Sequence, residues 1–468
     1  MKSLIQHADI ASVMQDINSR ESNDKSFPSV SIIIPVHNSI EWIEECLVSV
    51  IDQTYVGRIQ VSLYDDASND GSDIMIHAWR SLFQQFGIST VASGRCWGYH
   101  QNNGQLLFCN IHDYHSCHAG GIGHGKNMAT CQSTGSYLLF LDADDVMFPT
   151  RLEKQLQLAA KNPGAILGGC WKRLPAGSTE HYESWANVLE YERLWLEQFR
   201  EVTVQMPTWC MSRSVYDALG GFVESPPGDG EVGIDYDCGL VQLIARTCPY
   251  LLFECHPVNH PSNMNPKSYL RTLLDPLHLG EDFIFFQSFL DSFGPINYDG
   301  GHSSIARAGT PENPTLMYRW SPESGTSRVS RRQLARIRVA AFERRILSQA
   351  SWSHFSIWGA GRDSHVFFSE LSKKAQSQVV AFVDLDSGKC GTAYTNHHCG
   401  TPTTIPIVHF KEFSEYLRKE RAALNDSGSV PVVACVAKRR KGEGCAGDLE
   451  SNIGTLGLLE GLSLWYCY

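Results

Sequence analysis

The chain has 468 residues, enough for two or three domains of ordinary size. Fifty acidic against 39 basic side chains leave a formal charge of −11, and 43% hydrophobic with 19% charged residues is the make-up of a soluble globular protein; this excludes wholesale disorder and fibrous repeats and argues against charge-driven binding to DNA. No apolar run reaches the ~18 residues a membrane span needs, and residues 1–28 carry no apolar core ahead of a small-residue cleavage site, so the expectation is a cytoplasmic protein with no membrane partner.

Residues 1–28 read as an N-terminal extension. Folded sequence opens at Val30, where Ser31-Ile32-Ile33-Ile34-Pro35-Val36 is an apolar, β-branched run that predicts a buried parallel strand. Ile40, Ile43, Leu47, Val50 and Ile51 then recur at helical spacing, with Ser39 placed to cap the first turn. Residues 59–64 form a second strand that runs into the acidic turn Asp65-Asp66-Ala67-Ser68-Asn69-Asp70-Gly71. A third strand over 137–141 runs into Asp142-Ala143-Asp144-Asp145, and Pro149 opens a helix that stops at Asn162-Pro163-Gly164. In open α/β sheets such strand ends are where ligands bind.

Two segments, 92–120 and 223–279, lack periodicity and predict long surface loops. Between 328 and 345 arginine dominates, with Leu334, Ile337 and Ala341 sharing one stripe, which predicts an amphipathic basic helix. From Phe355 a second α/β unit begins: a strand over 355–358, the tight turn Gly359-Ala360-Gly361, a helix over 366–371, a strand over 379–383 ending at Asp384, and a strand over 430–436. Gly359-x-Gly361 with Asp384 is half a dinucleotide fingerprint; Ser364 stands where the third glycine would be, and no NAD site is expected. Fifteen cysteines, odd in number and without a CxxC pair, read as reduced thiols. Cys109-x-x-His112-x-x-His115-x-Cys117-His118 could hold zinc or be a polar loop.

The strongest chemical signal is Asp142-x-Asp144-Asp145 behind an apolar strand, since hard carboxylate oxygens hold Mg²⁺ or Mn²⁺, and transfer from a nucleoside diphosphate needs such a cation. The plain alternative is an acidic turn leading into the helix at Pro149. A general base could come from Asp235 or Asp237 in Gly233-Ile234-Asp235-Tyr236-Asp237, or from Glu281-Asp282, which opens a helix carrying Phe283, Phe286, Phe289 and Leu290. The helix N-terminus would favour an ionised carboxylate at Asp282.

In order and spacing, Pro35-Val36-His37-Asn38, Asp65-Asp66-Ala67-Ser68, Gly123-His124-Gly125-Lys126-Asn127 and Asp142-Ala143-Asp144-Asp145 resemble the family-2 inverting glycosyltransferases of GT-A fold. The resemblance implies an α/β fold with a GT-A, Rossmann-like nucleotide-sugar-binding catalytic domain at 29–322, an Arg-rich helical connector at 323–352 and a smaller Rossmann-like domain at 353–468. It also implies a UDP-sugar pocket in which Pro35, His37 and Asp65 or Asp66 border the uracil, Lys126 lies near the diphosphate, Asp142 meets the ribose and Asp144 binds Mn²⁺ or Mg²⁺, with Asn38 and Asn127 also among the nucleotide-sugar-binding residues. In that family a Glu-Asp pair follows a Gly-Gly-Phe turn, here Gly220-Gly221-Phe222, which favours Asp282 as the base.

Met206-Pro207-Thr208-Trp209-Cys210-x-Ser212-Arg213, Tyr318-Arg319-Trp320 and Ile357-Trp358-Gly359-Ala360-Gly361 are similar to one eukaryotic subfamily, the β-1,3-N-acetylglucosaminyltransferase-like proteins, which includes a tRNA-queuosine galactosyltransferase. That likeness implies UDP-galactose as donor and a tRNA anticodon stem-loop carrying queuosine as partner. Trp209 is then an acceptor-stacking platform or a core residue, and Glu281, Arg319, Arg331, Arg338 and Arg345 are candidates for acceptor contact, with Lys438-Arg439-Arg440-Lys441 as a second basic patch. The arginine run could equally be a solvated face. Other readings are a UDP-N-acetylglucosamine transferase acting on a β-galactoside and an inactive transferase that serves as a tRNA-binding module.

Overall fold

The computed structural model describes residues 27–95, 97–102, 105–110, 119–224, 280–294, 304–321, 329–396, 403–416, 430–436 and 448–467, with backbone alone for the strands between 97 and 110. Most of the extension at 1–28, Asp235 and Asp237, the His/Cys cluster after Asn110 and the basic patch at 438–441 lie outside them. The chain divides into two compact units, one of residues 1–191 and 204–328, the other of residues 192–203 and 329–468. The excursion of 192–203 into the second unit has no counterpart in the sequence pattern. Among the described residues no helix is long and apolar enough to cross a membrane.

The first unit is built on a seven-stranded sheet. Its parallel half is β1 (Val30–Val36), β2 (Ile59–Asp65), β3 (Ser89–Gly94) and, on the other side of β1, β6 (Tyr137–Phe140). β4 (Trp97–Asn102) and β5 (Gln105–Asn110) form a separate antiparallel ribbon, so the first segment expected to be a loop contains a hairpin. Beyond β6 the sheet continues with β10 (Cys210–Ser212), antiparallel to its neighbours, then β8 (Ile166–Gly169) and β11 (Ile305–Ala308). A small second sheet orders β7 (Val146–Met147), β12 (Leu316–Arg319) and β9 (Trp171–Leu174).

The helices that position the site are α1 (Ile43–Ile51), α2 (Ser72–Gln85), α3 (Ile122–Cys131), α4 (Arg151–Lys161), α5 (Arg213–Leu219) and α6 (Glu281–Phe293). The central strands are apolar on both faces because helices cover both: Ile32, Ile34, Val61, Leu63, Leu139 and Leu141 are fully buried. Ser39 does not cap α1 with its side chain; its hydroxyl donates to the His37 carbonyl, and its own carbonyl accepts the first helical N–H groups.

Chain order reverses at β1, which has β2 on one side and β6 on the other. The register sets Val36 beside Asp65 and Ile33 beside Phe140, so Pro35–Asn38, Asp65–Ser68 and Asp142–Asp145 emerge together at the carboxyl ends of three adjacent strands. This is the crevice where such sheets bind nucleotides.

The second unit carries α7 (Arg331–Phe342), α8 (Arg362–Glu370) and a six-stranded sheet ordered β15 (Ala393–Asn396), β16 (Thr403–His409), β14 (Val379–Asp384), β13 (Phe355–Trp358), β17 (Val432–Ala434) and β18 (Leu464–Tyr466), parallel except for β15. The glycine turn between β13 and α8 is closed from within, since Asp384 Oδ2 accepts the Ala360 N–H at 2.7 Å. The buried stripe of α7 is Ala335, Arg338, Val339, Ala341 and Phe342, rotated from the predicted one, because Phe342 packs on Phe199 of the 192–203 excursion.

Candidate active site

Three carboxylates follow β6. Asp142, Asp144 and Asp145 each offer an oxygen, and these oxygens lie within 4.8 Å of one another. Asp142 Oδ1 and Asp145 Oδ2 are buried and accept no hydrogen bond. Burial pushes the Asp142 carboxyl up to about 7, with Asp144, Asp282 and Glu281 adding to the effect and Lys126 opposing it. Burial raises Asp144 as well, and raises Asp145 further with the charges of Asp144 and Asp142. Three acids held this way are costly without a compensating charge, and three converging carboxylates, two of them with an orphaned oxygen, fit a hard divalent cation. Asp145 is a probe of what spacing conceals: the motif contains it, but only the fold turns it inward beside the other two.

The loop bearing these acids is fastened by Arg319 at the end of β12. Its backbone N–H donates to Asp145 Oδ1 at 2.8 Å, its Nε to the Asp144 carbonyl at 2.9 Å, and its Nη2 to Glu45 of α1 at 2.7 Å. The guanidinium lies 4.0 Å from the centre of the Trp42 ring. Arg319 was expected at the acceptor; its donors instead address the carboxylate loop. Partners behind a metal ligand typically alter affinity by roughly 10–100-fold when removed. Arg319→Ala is therefore expected to weaken Mn²⁺ binding by about that factor, read from the free Mn²⁺ signal in electron paramagnetic resonance.

The residues expected to border a nucleoside lie at the ends of β1 and β2. His37 is exposed, with Nδ1 2.7 Å from the Asp66 carbonyl oxygen. Asn38, at φ 49°, donates its N–H to Ser68 Oγ and accepts the Asn69 N–H, so its polar groups hold the neighbouring loop. Asp65 is buried, and its Oδ1 accepts the Ser68 N–H at 3.4 Å. Both oxygens of Asp66 accept backbone N–H groups, from Gly120 at 2.9 Å and Gly121 at 2.8 Å, which ties the entry of α3 to β2. Pro35 is buried; a Cβ on Gly125 would lie 3.0 Å from the Pro35 Cβ, so glycine lets α3 approach β1.

Two residues predicted to contact ligand are committed to the scaffold. The Asn127 amide donates to the Phe222 carbonyl and Glu224 and accepts from Tyr216 and the Phe222 N–H, which joins α3 to the turn after α5. Trp209 is fully buried; its Nε1 donates to the Val204 carbonyl, and its ring packs on Phe222, Phe285 and Phe286. It is a core residue, not a stacking platform. Trp209→Ala should destabilise the protein by about 3–5 kcal/mol, measured by denaturant unfolding, with Trp209→Phe milder.

α6 brings the expected base to the site. Gly280 takes a left-handed conformation, φ 64°, and Glu281 and Asp282 stand in the first turn, near the positive end of the helix dipole. The buried aromatic face of α6, with Phe285 stacked on Phe222 at 4.5 Å, fixes that end. Lys126 Nζ donates to Asp282 Oδ1 at 2.7 Å and lies 3.4 Å from Glu281 Oε1. Burial raises Glu281 to about 7, reinforced by Asp282.

Of the arginines of α7, Arg331 is exposed, whereas Arg338 is buried and donates to the Arg200 carbonyl, and Arg345, in the turn that follows, lies over the Phe199 ring. Arg332 and Arg336 both pair with Glu370. Arg338 and Arg345 therefore serve the packing of their own unit, because a helix that must cover a core turns part of any basic run inward.

A doubly wound sheet with a carboxylate cluster at its switch point is the α/β arrangement that the resemblance to GT-A glycosyltransferases led one to expect. Residues 31–220 match the model of Glycosyl transferase family 2. Glycosyltransferase AglE of Haloferax volcanii is 29% identical over 167 residues, 35% of this chain and 47% of that protein. Glycosyltransferase GlyG of Streptococcus pneumoniae is 24% identical over 140 residues, 30% of this chain and 38% of that protein. The chain spans less than half the length of each of these relatives. A structure of S. aureus TarS 1-349 in complex with UDP-GlcNAc aligns with a TM-score of 0.38 and 14% identity, over 67% of this chain and 66% of that one.

Proposed function

We propose that this protein is an inverting hexosyltransferase that uses a nucleoside diphosphate sugar, with UDP-galactose as donor and queuosine at the wobble position of a tRNA of the tRNA-Tyr type as acceptor. The observation that carries the transferase reading is the convergence of Asp142, Asp144 and Asp145 at the end of β6, with the charge of Asp282 felt at Asp142. Mn²⁺ or Mg²⁺ held by those three residues would neutralise the charge that develops on the departing diphosphate.

The protein's own groups supply the rest. His37 and the ends of β1 and β2 border the nucleoside. Asp282 takes the proton from the acceptor hydroxyl as its oxygen bonds to the anomeric carbon, while the bond to the diphosphate breaks on the opposite face; configuration therefore inverts. The donor and acceptor are supported by the likeness of Tyr318-Arg319-Trp320, Met206–Arg213 and Ile357–Gly361 to the queuosine-modifying subfamily. The exposed Arg331 is the cation of its helix best placed for a phosphate contact.

The test is incubation of the protein and Mn²⁺ with UDP-galactose or UDP-N-acetylglucosamine and queuosine-containing tRNA, followed by nucleoside mass spectrometry. Hexose on queuosine with UDP-galactose alone is the expected result. Product on a β-galactoside with UDP-N-acetylglucosamine would replace this donor and acceptor, and tRNA binding without UDP release would point to an inactive scaffold.

A further inference from the structure

Lys126 occupies a position whose motif implies contact with the donor diphosphate, yet its side chain is 1% exposed. Its ammonium is enclosed by Asp282 at 2.7 Å, Glu281 at 3.4 Å and the face of Phe222, whose ring centre is 4.8 Å away. We propose that Lys126 is the positioning residue of the catalytic base, holding one oxygen of Asp282 and compensating the Glu281–Asp282 pair, and that it is not a ligand of the diphosphate. This rests on the reading of Asp282 as base.

The local sequence explains how a lysine reaches this place. Gly123 and Gly125 let α3 pack without side chains in the way: a Cβ on Gly123 would meet the Val223 carbonyl oxygen at 2.3 Å and the Glu281 Cγ at 3.6 Å, and one on Gly125 would meet Pro35. With both faces closed, the long stem of Lys126 crosses beneath the first turn of α6. A buried ammonium is retained only by opposite charge. Here burial, which alone would lower the Lys126 pKa, is outweighed by Asp282, Glu281 and Asp142, and the lysine stays protonated.

The two carboxylates are unequal. Glu281 has 16% of its side chain exposed and Asp282 31%, so Asp282 keeps more of its side chain accessible while its Oδ1 is anchored. Two adjacent carboxylates repel one another, and a cation between them holds the pair in one arrangement. The lysine beneath them fixes the direction of Asp282 through the 2.7 Å bond to its Oδ1. A ligand of the diphosphate would need the same N–H groups aimed outward, and burial denies that.

The experiment compares Lys126→Met and Lys126→Arg with the wild type, titrating UDP in the presence of Mn²⁺ by calorimetry and measuring hexosyl transfer at saturating donor. Expected are a fall in kcat of roughly 100-fold for Lys126→Met, partial rescue by arginine, and a UDP affinity within about twofold of wild type in both. A loss of UDP affinity of about tenfold or more, with kcat little changed, would assign Lys126 to the diphosphate and overturn the proposal. If Lys126→Met does not fold, Lys126→Arg decides by the same split. Normal transfer by Asp282→Asn would instead defeat the base assignment, and absence of UDP binding by the wild type would defeat the nucleotide reading, each separately from the role of Lys126.

Discussion

Asp144→Ala is expected to lower hexosyl transfer by about a hundred- to ten-thousand-fold and to abolish measurable Mn²⁺ binding. The estimate follows from the several kcal/mol of charge stabilisation that a cation contributes to a departing phosphate, at about 1.4 kcal/mol per tenfold. Unfolding would give the same loss, so stability supplies the control. Burial raises the pKa of Asp144 in the folded state, which means that folding disfavours its ionised form. Removing it relieves repulsion on Asp142 and Asp145, for both of which it is a cause of the upward shift. The metal-free variant should therefore melt no lower than metal-free wild type, and a variant that melts much lower would mean that Asp144 is structural.

The same charges set a pH dependence. Asp142 is raised from its ordinary value of 3.8 to about 7 on folding, so between these values the native state binds more protons than the unfolded chain. Stability then falls as pH rises across that window. Metal-free protein should show this slope in denaturant unfolding from pH 4 to 7, and saturating Mn²⁺ should flatten it by giving the ionised carboxylates a partner.

Asp282→Asn is expected to reduce kcat by roughly 10²–10⁴-fold, the usual contribution of a positioned general base, with UDP affinity unchanged. Asparagine keeps the size of the side chain and can still meet Lys126, but cannot take a proton from a hydroxyl. The change lies on the first turn of α6, where Asp282 is partly exposed and the aromatic face that docks the helix is untouched. Near-normal transfer by this variant would send the search for the base to Glu281, the neighbouring acid on the same turn.

Much of this molecule was legible from local pattern. The runs at 31–36 and 59–64 and the run leading to Asp142 are strands, the acids stand at their carboxyl ends, and the Glu-Asp pair opens an aromatic helix. Apolar runs and acidic turns are short-range signals, readable wherever the residues are consecutive. Residue type alone could not separate ligand from scaffold: Trp209 and Asn127 look equally suited to a pocket or a core, and burial assigns Trp209 to the core while its hydrogen bonds commit the Asn127 amide to the scaffold.

The sequence by itself determined the α/β alternation, the carboxylate cluster behind a strand and the acidic start of the helix at Glu281, because each depends on residues within a turn or two of one another. Only the tertiary structure decided that Asp145 joins Asp142 and Asp144, that Arg319 fastens their loop, and that Lys126 lies under Asp282 across 156 positions of chain. Those pairings come from strand register and from the close approach of α3, which glycine permits. A buried charge is stable only beside an opposite one, and which opposite charge it meets is set by packing between elements distant in sequence.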